Sequence, residues 1–478
     1  MNDSILFWNE VALEANRRNH TDVEQTNNEE KETGPTRSSR ALAIVHLAMY
    51  DAYVAAAKPA GLAPYLPGLP AAPAATSAPQ AVAGAAHAAL MKLYPSQREL
   101  FDRKLAEAGV PGGPGLQFGR QVAAALLEDR ARDPDAGHDG YRPSNERGRH
   151  RADPDNPGQG FHGPYYGARS KGFAVTARHE LAPPPPLRGR EYLVALREAR
   201  NLGIVPELMG SLPAGLPRRT FDQTLIGLYW GYDGAAGIGT PPRLYNQIVA
   251  RIAVARGNTE AENARLFALV NAAMADAGIL AWDQKYKHDL WRPVLGIREH
   301  DRSMGPGSST PGNDVSNDAD LGWLPFGAQK TNAVGQKNFS PNFPAYPSGH
   351  ATFGAAALHM TRLFYKVEEG DRKPDRLLDG LDFVSDELDG VSTDNRGAIR
   401  PRHRRNFPGG LWQMIIENGL SRVYLGVHWS FDAFMTREDG RPDLSANIGG
   451  VPLGIKIAED IYRSGLVKSP VGPRVDRT

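Results

Sequence analysis

The sequence predicts a mainly α protein. Apolar residues recur at helical spacing through long segments. Strand signals are scarce, with no alternating β-branched runs and no Asn-Gly hairpins. The apolar share is 41% over 478 residues, enough to build two packed units or one large one.

The elements follow in order. A short helix is expected from Ile5 to Ala15, then a charged loop from Glu24 to Thr36. Residues 37–58 carry Leu42, Ile44, Val45, Leu47 and Ala48 at buried-helix spacing, with His46 and Asp51 read as packing hydrogen-bond groups. Pro59 to Pro79 is a proline- and alanine-rich linker, and helices are expected at 80–93, 96–108 and 115–132. Residues 133–188, rich in Gly, Pro, Asp, Arg and His, read as a long ordered loop. His138, His150, His162 and His179 lie in it without a ligand-like spacing, so no metal site is assigned there. Helical periodicity returns at 190–202, 218–232, 243–256 and 260–281, and again at 348–365, 411–427 and 453–464. A second long loop spans 299–340. Residues 366–410 are charged and irregular around a short apolar stretch at 378–388, and the basic cluster Arg400–Arg405 reads as a solvated face. Residues 467–478 read as a loose tail.

Composition excludes several functions. Lys+Arg number 55 against 54 Asp+Glu, so nothing points to nucleic acid or an acidic membrane. There is no cysteine, which removes disulfides, thiolate metal sites and cysteine nucleophiles. Met1–Glu10 lacks a basic stretch followed by a long apolar one, and no long uncharged apolar run stands out. A soluble protein is expected, cytoplasmic or non-classically secreted.

Three stretches carry chemistry. In Phe343-Pro-Ala-Tyr-Pro-Ser-Gly-His350, an extended, proline-stiffened approach turns into a helix. Ser348 can cap it, Gly349 lets backbone come close to a ligand, and the free N–H groups of the helix start favour an anion. His350 sits at its mouth. In Lys285-Tyr-Lys-His-Asp-Leu-Trp-Arg292-Pro293, two cations are spaced by two helical turns, with Pro293 expected to end the helix. In Ser421-Arg422-Val-Tyr-Leu-Gly-Val-His428-Trp-Ser-Phe-Asp432, a charge and an imidazole lie in an apolar segment, and Asp432 is placed to fix the imidazole tautomer. Each stretch has an ordinary reading as well: a capped helix start, a solvated basic face, a satisfied core histidine. Together they gather Lys285, Arg292 and Arg422 with Ser348, Gly349, His350 and His428, a set suited to a tetrahedral, multiply charged oxyanion.

The pattern K-x6-R-P, P-S-G-H, S-R-x3-G-V-H-W-x2-D resembles that of the vanadium-dependent haloperoxidases, which share their site with the type 2 phosphatidic-acid phosphatases and bacterial acid phosphatases. The stretches Phe7-Trp-Asn, Leu47-Ala-Met-Tyr-Asp-Ala-Tyr53 and Gly239-Thr-Pro-Pro-Arg-Leu-Tyr-Asn-Gln-Ile248 resemble the fungal chloroperoxidase branch, so the likeness covers most of the chain.

The resemblance implies two four-helix bundles: 1–258, including the 133–188 loop, and 259–478, carrying the site. It implies orthovanadate bonded to His428, which serves as the vanadium ligand, and held by Lys285, Arg292, Ser348, Gly349 and Arg422. It implies His350 as acid–base and Lys285 as a donor to hydrogen peroxide. Trp282 and Phe343 would line a halide pocket. Asp233, in its Tyr-Asp-Gly context, would pair with Arg422. The implied reaction oxidises chloride or bromide with hydrogen peroxide to a species that halogenates an organic acceptor, with phosphate as a competing anion. The alternative is a soluble phosphomonoesterase using a phosphohistidine, with the same residues binding phosphate.

Overall fold

The computed structural model describes residues 3–21, 32–74, 76–304, 317–367, 375–466 and 470–475. Its helices are α1 (Ser4–Asn19), α2 (Gly34–Ala57), α3 (Ala78–Leu93), α4 (Arg98–Glu107), α5 (Pro114–Asp129), α6 (Tyr166–Arg169) and α7 (Arg190–Leu202). They continue with α8 (Phe221–Tyr229), α9 (Pro241–Arg256), α10 (Glu260–His288), α11 (Pro293–Arg298), α12 (Gly349–Phe364), α13 (Gly410–Tyr424) and α14 (Gly450–Ser464). Among the described residues there are also short 3-10 turns and two small antiparallel pairs: β1 (Asp382–Val384) with β2 (Arg404–Asn406), and β3 (Met435–Thr436) with β4 (Pro442–Asp443). The mainly α expectation therefore holds.

Local chemistry explains where the helices begin. Thr259 and Glu262 form a reciprocal capping box at α10, and Thr220 and Gln223 form one at α8. Proline occupies the first turn of α2, α3, α5, α9 and α11, where its missing N–H costs nothing. The interior of α10 is apolar from Leu266 to Trp282, interrupted by Asn271, Asp276 and Gly278, and all of it is buried. Each fully buried Leu, Ile or Phe side chain there contributes roughly 1.5–3 kcal/mol.

Helices α2, α3 and α5 pack together with α1 alongside. On the other side of α2 lies α10, which carries α12 and α14, and α13 closes on α12. The two groupings meet along the α2–α10 contact, so one continuous core runs across the sequence division expected at 258. Close approach sets the α12–α14 contact: a Cβ on Gly450 would lie 2.4 Å from the Ser348 carbonyl oxygen, and one on Gly454 would lie 2.4 Å from that of Thr352. Among the described residues, α10 is the one helix long and apolar enough to cross a membrane, and 94% of its apolar window is buried inside the protein.

Four expectations need correction. First, α10 stops at His288, and Asp289 adopts a left-handed conformation (φ 53°) as its cap. Pro293 opens α11 rather than ending a helix that contains Arg292. Second, Arg400 is not solvated: it is buried against Glu387, with Thr331 and Gln329 also accepting from its guanidinium. Arg405 is half-buried against Glu417 and Asp222, leaving the remainder of the cluster more open. Third, residues 470–475 are not loose. Val471 pairs with the Val175 backbone, and Arg474 donates to both oxygens of buried Asp283 and to Glu180. Fourth, the helix expected at 218–232 ends at Tyr229, because Tyr232 takes a positive φ of 51°. Residues 24–31 of the expected first loop lie outside the described residues, while 34–36 already belong to α2.

Candidate active site

The site forms where α10, α11, α12 and α13 converge. Lys285 comes from the last turn of α10 and is fully buried, its Nζ donating to the carbonyls of Pro344 (2.8 Å) and Ala345 (3.0 Å). Arg292 precedes α11 in extended conformation, so the left-handed turn at Asp289, not helical periodicity, returns it to Lys285. Its Nε donates to Phe343 O (2.9 Å), and its Nη1 donates to Val427 O (2.7 Å) and to His428 Nε2 (2.9 Å). Arg422, from the last turn of α13, grips Asp233 with both terminal nitrogens at 3.2 and 2.7 Å. The positive φ of Tyr232 turns Asp233 toward it.

Ser348 caps α12, its hydroxyl accepting from Ala351 N at 3.4 Å. The N–H of Gly349 is the first of that helix and has no intrahelical acceptor. A Cβ there would lie 3.2 Å from the Trp282 ring, so glycine keeps this approach open. His428 Nδ1 donates to Asp432 Oδ2 at 2.7 Å, and the Trp429 N–H donates to the same oxygen at 3.0 Å. That fixes the imidazole with its proton on Nδ1 and its lone pair on Nε2. His350 Nε2 donates to Gly231 O at 2.7 Å and lies 3.8 Å from Asp233 Oδ1, leaving Nδ1 as the acceptor of that ring.

Burial governs the charges. It pushes Lys285 well below the usual ammonium range, with Arg292 and Arg422 adding to the push. It brings Arg292 down to about 9 and holds His350 and His428 well below the usual imidazole range, so both rings are neutral. Burial also raises Asp432 to about 7, against the pull of Lys285 and Arg292.

Lys285, Arg292 and Arg422 are thus crowded together with Asp233 and Asp432 as the nearby carboxylates. Among the described residues, Arg292 Nη2, Arg422 Nε and Asp432 Oδ1 are buried without a hydrogen-bond partner. Two unpartnered guanidinium donors beside a capped helix start and an imidazole lone pair suit an oxyanion such as vanadate or phosphate.

A cavity of about 200 Å³ opens onto this cluster. His350, Arg422, His428, Gly349 and Asp233 line it, together with Trp282 and Phe343, whose ring centroids are 4.7 Å apart. Lys285 Nζ lies 5.1 Å from the Phe343 ring. The structure therefore brings every expected site residue into one neighbourhood. Sequence reasoning missed two cavity-lining histidines. His162 reaches in from the 133–188 loop and stands edge-on to Trp282, with centroids 5.8 Å apart. His20 arrives from the end of α1. Neither has a local signal, since each is a lone histidine that only the fold carries to the cavity.

The all-α fold is shared with solved vanadium-dependent haloperoxidases. The first bacterial vanadium-dependent iodoperoxidase superposes with a TM-score of 0.64 at 19% identity, covering 97% of each chain. A holo-type bacterial vanadium-dependent chloroperoxidase gives 0.60 at 16% identity, covering 90% of this chain and 93% of that one. In sequence, the vanadium chloroperoxidase of Curvularia inaequalis is 36% identical over an alignment of 585 positions, taking in 98% of this chain and 90% of that protein. Family models described as the vanadium chloroperoxidase N-terminal domain and its second helical-bundle domain match residues 1–161 and 265–442. This chain belongs to the vanadium chloroperoxidase family.

Proposed function

We propose that this protein is a vanadate-dependent haloperoxidase that oxidises halide with hydrogen peroxide. The observation carrying this reading is the pair of buried guanidinium nitrogens without partners among the described residues, Arg292 Nη2 and Arg422 Nε, beside a neutral imidazole. Buried charge without compensation costs several kcal/mol, and a bound oxyanion removes that cost. Lys285, Arg292, Arg422, the Ser348 hydroxyl and the Gly349 N–H would hold the anion, with His428 Nε2 as its protein ligand. When bound, vanadate supplies Lewis acidity toward hydrogen peroxide without changing oxidation state.

The side chains divide the remaining work. Asp432 keeps His428 in the tautomer whose Nε2 faces Arg292. The anion's charge returns Lys285 toward its protonated form, so Nζ can donate to a peroxide oxygen. His350 takes or gives a proton at Nδ1, and Asp233, 3.8 Å from Nε2, steadies the resulting cation. Trp282 and Phe343 give a halide an apolar wall beside the Lys285 ammonium. We propose chloride as well as bromide as substrates, because Phe343 stands where a histidine is usual in bromide-preferring relatives.

The test begins with protein stripped of oxyanions. Adding orthovanadate, hydrogen peroxide and bromide or chloride should restore halide oxidation, and phosphate should compete with vanadate. His428→Ala should lose vanadate binding. Vanadate-inhibited phosphatase turnover with no halide oxidation would overturn the reading.

A further inference from the structure

The Trp282–Phe343 wall leaves an electrostatic problem. Aromatic faces carry the negative side of a quadrupole, so these rings strip water from an anion without attracting it. The donors close to them are committed elsewhere. Trp282 Nε1 and the Tyr286 hydroxyl both donate to His162 O, at 3.1 and 2.7 Å. Lys285 Nζ donates to two carbonyls and, in the scheme above, to peroxide.

His162 takes no part in that scheme, yet its backbone is pinned to both walls. Its carbonyl accepts from Trp282, and its N–H donates at 3.0 Å to the carbonyl of Asn342, the residue before Phe343. The ring stands edge-on to Trp282 and tilted by 57° to Phe343, with centroids 5.8 and 6.1 Å away. Protein surrounds the ring, yet it keeps accessible surface and lines the cavity, so the surface it shows is the cavity's. A Cβ on Gly34 would lie 2.4 Å from the ring's Cε1, so a glycine at the start of α2 makes the room. Nε2 meets the Thr36 hydroxyl at 2.9 Å, and among the described residues that hydroxyl has no other partner. Nδ1 has no hydrogen bond among the described residues and is not sealed inside the protein. When the Thr36 hydroxyl donates to Nε2, the ring's proton sits on Nδ1, and a donor opens to the cavity.

We propose that His162 is a halide-binding residue: its Nδ1–H donates to the halide lying against Trp282 and Phe343, and Thr36 holds the tautomer that carries this proton. The proposal rests on the haloperoxidase reading and adds to it a contact from the 133–188 loop, far in sequence from the three motifs. An anion against Nδ1 itself selects that tautomer, so halide and Thr36 act in the same sense. Burial and the Arg37 guanidinium hold the ring at about 4, so at neutral pH it meets the halide as an uncharged donor.

The experiment separates halide binding from turnover. His162→Phe keeps an aromatic wall and has no N–H. In vanadate-loaded enzyme its KM for bromide and for chloride should rise about tenfold or more, the worth of one hydrogen bond to a charged group. The kcat at saturating halide and the KM for hydrogen peroxide should move less than about twofold, because the lost contact is one of binding. His162→Gln, which carries an amide N–H, should recover part of the loss. Independently of turnover, protein whose anion site is filled with phosphate should broaden the chloride magnetic-resonance line, and bromide should displace that broadening. The affinity read this way should fall about tenfold in His162→Phe. A His162→Phe protein with wild-type halide KM and wild-type affinity overturns the proposal, and so does a loss confined to kcat. If His162→Phe does not fold, Thr36→Val, which removes the hydroxyl and keeps the ring, decides in its place: halide KM should rise several-fold, and an unchanged KM overturns the proposal. If vanadate-loaded wild type makes no tribromide from bromide, the haloperoxidase reading fails instead, and the line widths of phosphate-filled protein alone judge the His162 contact.

Discussion

Replacing Asp432 by Asn tests how the site prepares its imidazole. The carboxylate is fully buried, and its Oδ2 accepts both the His428 Nδ1–H at 2.7 Å and the Trp429 N–H at 3.0 Å. Asparagine keeps the volume and one acceptor oxygen but removes the charge that the carboxylate, raised to about 7 by burial, carries above that pH. A hydrogen bond to a charged group contributes about 1.5–3 kcal/mol, against about 0.5–1.5 for a neutral one. The difference is about 1–1.5 kcal/mol in holding the proton on Nδ1. Part of the population then moves the proton to Nε2, where the ligand lone pair is needed. Outer-sphere partners of metal-bound histidines typically change affinity by about 10–100-fold. Asp432→Asn should therefore raise the vanadate Kd about 10–100-fold, read by calorimetric titration of oxyanion-free protein, with Tm checked in parallel. A Kd within about twofold of wild type, with Tm preserved, would refute the tautomer reasoning.

Other outcomes follow from the same geometry. Arg400→Ala strands fully buried Glu387 and should cost about 3–5 kcal/mol in urea unfolding, far more than a surface pair would. Gly450→Ala drives a methyl against the Ser348 carbonyl at 2.4 Å, and should cost at least about 1–3 kcal/mol while weakening vanadate binding through a displaced cap. His46 is buried, bonded to Leu42 O and Asn9, and held at about 4, below the ordinary 6.5. The unfolded chain protonates first, so this contribution is intact above pH 6.5 and is lost as pH falls from 6.5 toward 4. It should amount to about 3 kcal/mol at most, seen as a steeper acid loss of stability in wild type than in His46→Gln. Phe343→His should lower the chloride-to-bromide ratio of kcat/KM several-fold, and an unchanged ratio would remove Phe343 from halide selection.

The fold was legible wherever local physics decides it. Helical periodicity from 260 marked the start of α10, and the apolar periodicity of α12 and α13 set their bounds within a few residues. The three motifs were legible because each packs its chemistry into a dozen residues. What escaped was set by partners far along the chain or by backbone excursions. Arg292 returns to Lys285 through the left-handed turn at Asp289, which no periodicity encodes. Arg400 is buried because Thr331 and Glu387 converge on it from two loops. His20 and His162 enter the cavity only once α1 and the 133–188 loop have closed over it.

The wide sequence separation of the partners has a consequence for how the protein is made. Arg422 meets Asp233 across 189 residues, and Arg292 meets His428 across 136. At roughly 5–20 residues per second of synthesis, the ribosome needs on the order of ten seconds or more between the first member of each pair and the second. Long loops must then close before these contacts return any free energy, which places the cradle among the late events of folding. A growing chain that carries Lys285 and Arg292 but not yet Arg422 and His428 holds cations without the imidazole and cannot handle peroxide. With the roles proposed above, oxidising power is withheld until nearly the whole polypeptide is in place.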